Sequence, residues 1–276
     1  MCDGSKLSRR ELFASARKLA NMSLAFAALG PFSWTIAARA DQVPPDDPRM
    51  HTEAIVIPTD AGGLQSYLAR PVDGSAILGN IIVAHDYWGL TPHFRDVGRR
   101  FAVEGFRVLA PDFASRLGGT PTERDPARDM INMLDWPDVI SDGKAAIAWM
   151  RGQEGTNGRV GIVGFGWGGS TAGRLATKAS DLDSGVIYYG KVPPAADVPA
   201  IKAQLLLNYA GEDPLVDPDV PDFTQALQRT GVTYQVFIYD GVQRGFDDDS
   251  TPAHYAADAA QLAWTRTIEF LRQTLA

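Results

Sequence analysis

Cysteine is nearly absent: among 276 residues only Cys2 carries a thiol. It lies within an N-terminal stretch that has the marks of an export signal, so the chain beyond residue 40 has none. No disulfide can form there, and a cysteine nucleophile and a thiolate metal site are both excluded. Histidine is scarce too, with only His51, His85, His93 and His254. Cations are outnumbered, with 26 Lys and Arg against 33 Asp and Glu and a net charge of −7, which argues against nucleic acid or an anionic membrane surface as partner. There is no internal repeat and no low-complexity linker. The longest apolar segment, Met22 to Ala37, is short for a membrane span and is interrupted by Pro31.

What is present begins with Ser8-Arg9-Arg10-Glu11-Leu12-Phe13, a twin-arginine pattern ahead of that apolar segment. Ala38-Arg39-Ala40 then supplies an A-x-A cleavage site. Residues 1–40 are expected to be an export signal, which would place the remaining chain in the periplasm. An amphipathic first helix or an anchor are the alternatives. Removing Lys6, Arg9, Arg10, Arg17, Lys18 and Arg39 leaves a still more acidic chain. Residues 41–50, rich in Pro and Asp, are expected to be a loose lead-in, and residues 51–276 one domain.

Within that domain, Glu53–Pro58 and Leu64–Ala69 flank Asp60-Ala61-Gly62-Gly63 and predict a β-hairpin. Asn80–His85 is an apolar run of buried parallel-strand type, and Phe94, Val97 and Phe101 follow at helical spacing. The alternation continues with strands at Phe106–Ala110, Arg159–Gly164, Gly185–Tyr189, Gln204–Tyr209 and Thr233–Tyr239. Helices are predicted over Asp138–Gln153, Gly169–Ala179, Pro221–Thr230 and Pro252–Leu275. Such alternation predicts an α/β fold, a mainly parallel twisted sheet with helices on both faces and ligands at the carboxyl ends of the strands. The order suits an α/β-hydrolase fold.

In that fold a nucleophile sits on a sharp strand-to-helix elbow, followed along the chain by an acid and a histidine. The elbow frame here is Gly164-Phe165-Gly166-Trp167-Gly168-Gly169, with Gly166 where the nucleophile belongs. Asp213, in Tyr209-Ala210-Gly211-Glu212-Asp213-Pro214, takes the acid's place, and Arg244 stands where the histidine is expected.

The segments AHDYWGLTPHFRDVGRRFAVEGFRVLAPDF, SRLGGTP, VGIVGFGWGGS, LLLNYAGEDP and YDGVQRGFDDDSTPAHYAADAAQLAWTRTIEFL resemble the dienelactone hydrolase (carboxymethylenebutenolidase) family, in particular its exported branch. The resemblance implies a hydrolase of lactones or small carboxylic esters, with a cysteine at position 166, an aspartate at Asp213, a histidine at position 244 and a glutamate where Asp86 stands. It also implies an oxyanion hole from the backbone N–H groups of Tyr87 and Trp167, with no cofactor. His85 and Trp88, in the same AHDYWG stretch, are expected at binding positions. A glycine has no nucleophilic atom, and a guanidinium stays protonated far above neutral pH. Covalent hydrolysis is therefore expected to be lost or very weak. A small lactone, ester or carboxylate is the expected partner, and a non-catalytic periplasmic binding protein on the same scaffold is the alternative.

No other residue fills the vacated roles by its sequence position. Ser170 lies one turn into the following helix and reads as a packing or capping side chain. His93 reads as structural, and so in the main does His254, at the start of the predicted last helix, from where a swing toward the cleft is the lesser alternative. Asp247-Asp248-Asp249 is expected to be a solvated cap of the last helix rather than a metal site.

Overall fold

The computed structural model describes residues 42–276. The export signal therefore lies outside the described residues. Eight strands form one sheet in the order β1-β2-β4-β3-β5-β6-β7-β8. They are β1 (Met50–Thr59), β2 (Gly62–Pro71), β3 (Asn80–Ala84), β4 (Arg107–Pro111), β5 (Val160–Phe165), β6 (Ser184–Tyr188), β7 (Gln204–Glu212) and β8 (Tyr234–Gln243). The β1–β2 and β2–β4 pairs are antiparallel, and every later pair is parallel. The α-helices are α1 (Pro92–Val103), α2 (Arg124–Asn132), α3 (Trp136–Arg151), α4 (Trp167–Lys178), α5 (Val220–Thr230) and α6 (Ala257–Leu275).

Alternation along the central strands sends side chains to two separate cores. Ile82, Ala84 and Ile162 face α3 and α4 through Ile147, Met150 and Leu175, whereas Ile81, Val83 and Val163 face α1 and α6 through Phe101, Ile268 and Leu271. Both faces of the sheet are thus covered, which explains why the parallel strands read as continuous apolar runs.

Three expectations need correction. The lead-in is not loose over 42–50: Val43 and Asp47 are buried, and the amides of Gln42 and Val43 donate to the Asp96 carboxylate at 3.0 and 2.9 Å. The last helix begins at Ala257, not Pro252, because Asp248 captures the N–H of Ser250 and the hydroxyl of Thr251 and folds the stretch into turns. Helix α2 was not foreseen, since only Ala127 and Ile131 of it are buried and its apolar signal is correspondingly short. Among the described residues no helix is long and apolar enough to cross a membrane.

Candidate functional site

The parallel strands end on one edge of the sheet, and the side chains singled out by the sequence converge there. β5 runs directly into α4 through Gly166, whose φ of +57° and ψ of −107° are accessible to glycine and strained for any other residue. The close approach of α4 to the sheet requires the neighbouring glycines: a Cβ on Gly168 would lie 2.1 Å from the Ala84 carbonyl oxygen. Gly166 differs. A Cβ there would point into open cleft, 3.3 Å from Arg244 Nη2, 3.6 Å from Tyr189 Cε2 and 3.8 Å from Asp86 Cβ. The strained elbow is thus formed in full around a residue without a side chain.

Asp213 follows β7 and is buried, its Oδ1 accepting the Leu215 N–H at 3.1 Å. Arg244, just beyond β8, donates from Nη1 to Asp213 Oδ2 at 3.0 Å while its Nη2 faces the Gly166 position. Its guanidinium carbon also lies 5.4 Å from the centre of the Tyr189 ring. Asp213 and Arg244 therefore meet as an ion pair, and a guanidinium does not exchange its proton near neutral pH.

Asp86 lies beyond the end of β3, where its Oδ1 accepts the Trp88 N–H at 2.7 Å. Burial pushes its carboxyl up to about 7, against the lowering effect of that hydrogen bond, and the nearby Asp248 carboxylate adds to the rise. Tyr87 and Trp88 line the cleft beside it. Trp167 is the first residue of α4, so its N–H has no acceptor within the helix. Its side chain is buried against Trp136, Phe113 and His85.

His85 is not a cleft residue: it is fully buried and is not among the side chains that line the cleft. Its Nε2 accepts the Phe113 N–H at 3.1 Å, which leaves Nδ1 to carry the proton and donate to the Asp86 carbonyl at 2.9 Å. Burial lowers its pKa, so it is a neutral ring that fixes the backbone beneath Asp86. Ser170 is likewise structural, donating to the Gly166 carbonyl at 3.2 Å and accepting the Lys191 N–H at 2.9 Å. His254 is exposed and lines the cleft.

Several cleft residues carry no sequence signal of their role. Arg124, at the start of α2, lines the cleft with its guanidinium carbon 5.4 Å from the centre of the Trp88 ring. Tyr189 adopts a φ of +38°, and its hydroxyl donates to Asp247 Oδ1 at 2.5 Å. Its place at the carboxyl end of a predicted strand is the one sequence clue to it; the observed strand stops one residue earlier, at Tyr188. Burial pushes the Asp247 carboxyl up to about 6. The acidic run is therefore not a solvated helix cap: Asp249 is 1% exposed, and α6 starts eight residues later. Asp248 and Asp249 turn inward toward the buried His93, whose pKa they raise against the opposing effect of burial.

The sequence model of the dienelactone hydrolase family matches residues 45–275. The chain belongs to the dienelactone hydrolase family. A protein named as a carboxymethylenebutenolidase in Escherichia coli K12 is 28% identical over 232 residues, covering 79% of this chain and 85% of that one. A protein of the same name in Saccharolobus solfataricus is 28% identical over 253 residues, covering 78% and 96%. Among solved structures, one named as a dienelactone hydrolase from Klebsiella pneumoniae superposes with a TM-score of 0.74 at 25% identity, covering 81% of this chain and 99% of that one. The fold is the α/β-hydrolase fold, and its hydrolase-type strand ends carry the cleft described above.

Proposed function

We propose that this dienelactone hydrolase-family chain has lost covalent acyl transfer and binds a small carboxylate or lactone in the retained cleft. The observation that carries this reading is Arg244: one guanidinium nitrogen is bound to Asp213 and the other faces the side-chain position that Gly166 leaves open. Acyl transfer needs a nucleophilic atom at that position and a base to take and return its proton, and neither residue offers one. The losses act as a unit, so what binding and an oxyanion hole supply alone, roughly 10³–10⁴-fold over water, bounds the rate enhancement that is left. Two guanidiniums, Arg244 and Arg124, line the cleft, and with the amides of Tyr87 and Trp167, the donors that the family resemblance implies, they make a set suited to a carboxylate. The export pattern in residues 8–40 supports a periplasmic location.

A second reading rests on Asp86. A carboxyl with a pKa of about 7, beside an open elbow, is suited to act as general base on a water molecule and to permit slow direct hydrolysis of an activated ester.

The deciding experiment assays the protein on dienelactones and aryl esters beside the Gly166→Cys/Arg244→His double variant, and titrates both with small mono- and dicarboxylates. Activity in the double variant alone, with saturable carboxylate binding to the wild type that weakens at least tenfold in Arg244→Ala, is the expected result. Equal esterase activity in the two proteins, or carboxylate binding indifferent to Arg244→Ala, contradicts it. Activity in the wild type that Asp86→Asn abolishes selects the second reading.

A further inference from the structure

Beside the cleft, His93, Asp248 and Asp249 form an arrangement that hydrolase chemistry does not use. Among the described residues they are three ligand-type side chains whose candidate ligating atoms all lie within 4.8 Å of one another. His93 Nδ1 lies 3.5 Å from Asp248 Oδ1 and 3.3 Å from Asp249 Oδ1. The pairing with Asp249 does not have the geometry of a hydrogen bond. Both His93 Nδ1 and Asp249 Oδ1 are buried without a hydrogen-bond partner, in residues only 7% and 1% exposed. Facing each other at 3.3 Å, the two atoms make an ion-pair contact that satisfies them only in part; a buried polar atom left unsatisfied costs about 1–3 kcal/mol, which a cation between them would remove.

The surrounding contacts hold these atoms in place. Asp249 Oδ2 accepts from Arg100 Nη2 at 2.7 Å and from the Gln42 side-chain amide, which fixes the carboxylate with Oδ1 turned toward His93. Asp248 accepts from the Ser250 N–H and hydroxyl and from the Thr251 hydroxyl. His93 opens α1 and stands edge-on to Phe94, with ring centroids 5.0 Å apart. A tetrahedral centre with ligands at about 2.0–2.2 Å has ligand-to-ligand edges of about 3.3–3.6 Å, the range of the two distances from His93. One imidazole and two carboxylates match a borderline divalent cation.

We infer that His93 Nδ1, Asp248 and Asp249 Oδ1 form a binding site for a divalent transition-metal cation such as Zn²⁺, next to the cleft that Asp248 lines. Three protein ligands leave the coordination of Zn²⁺ to be completed by water or by an anion. The site is independent of whether the cleft hydrolyses or only binds. A proton on His93 competes with the metal, so affinity falls as pH decreases.

The test uses the full chain without an affinity tag. Zn²⁺ is titrated calorimetrically at pH 7.5, and Co²⁺ is added to follow visible ligand-field absorption. One equivalent of Zn²⁺ is expected to bind saturably, with affinity reduced at least tenfold by Asp248→Asn and by His93→Gln and unchanged by His51→Gln, on β1 beside Asp73. Because His93→Gln removes a buried ring, Asp248→Asn, nearly isosteric and at a partly exposed position, is the decisive variant, with folding checked by circular dichroism. Displacement of the His93 imidazole NMR signals on adding Zn²⁺ completes the expected result. Absence of saturable binding, binding unaffected by Asp248→Asn in the folded variant, or unmoved His93 signals overturns the assignment and leaves an ion pair only.

Discussion

Asp86 gives the cleft a measurable pH signature. Its carboxyl titrates near 3.8 when the chain is unfolded and at about 7 when folded. The folded protein therefore holds more protons than the unfolded one between those values, so the contribution of this residue to stability falls as pH rises through that window, by up to about 1.4 kcal/mol per pH unit. Below pH 4 both states are protonated and no penalty applies. The charged groups acting on it are Asp248, which raises its pKa, and His93 and Arg124, which lower it. Asp86→Asn keeps an acceptor for the Trp88 N–H and removes the titration. The gain in melting temperature of the variant over the wild type is predicted to be small at pH 4, to grow to about pH 7 and then to level off; a gain that does not change with pH refutes the assignment. Positions 86, 166, 213 and 244 were legible because a strand, an elbow and two later strand ends fix where such residues fall. Arg124 and Asp248 were not, since the first opens a helix with a short apolar signal and the second is brought to the cleft by an irregular loop, and neither leaves a periodic trace. Tyr189 shows the limit: its place at a strand end was readable, but that the strand stops at Tyr188 and that its own backbone is left-handed were not.

At the scale of the element, the β5–α4 junction separates glycines needed for packing from the glycine at the tip of the elbow, whose side-chain position faces the cleft. A Cβ on Gly168 meets a backbone oxygen at 2.1 Å, and a backbone cannot yield without moving the first turn of α4 off the sheet. Gly168→Ala is predicted to cost more than about 3 kcal/mol or to prevent folding. Gly166→Ala meets only the end of the flexible Arg244 side chain, at 3.3 Å, and its main cost is the backbone strain of its positive φ, about 1–3 kcal/mol. Urea unfolding of the two variants checks the order, and equal losses contradict it. The same junction shows why strands were easier to read than helix starts. Val160–Phe165 is apolar at almost every position because both its faces are buried. The start of α6 was misplaced because Asp248 bonds locally to Ser250 and Thr251, and such side-chain contacts compete with a helix without altering its apolar period.

Across the whole molecule, one carboxylate ties the lead-in, α1 and the cleft loop together. Asp96, fully buried on α1, accepts the N–H groups of Gln42 and Val43, receives Arg100 Nε at 2.6 Å and faces Arg99 Nη2 at 3.3 Å. Arg99 Nε in turn donates to the Val43 carbonyl at 2.5 Å, and Arg100 continues to Asp249 beside the cleft. A stretch that composition marks as loose is thus anchored by backbone amides, which every sequence offers and none advertises. Removing one partner of a buried charged network typically costs about 3–5 kcal/mol, because the opposite charges stay buried. Asp96→Ala is therefore predicted to lose about that much in urea unfolding, and limited proteolysis should then cut within residues 42–50, where the wild type resists. Asp96→Asn, which keeps one acceptor for the amides but not the charge, should preserve more of the protection from proteolysis than of the stability. If Asp96→Ala loses less than about 1 kcal/mol, or if the lead-in remains protected in that variant, Asp96 is not the anchor of this segment.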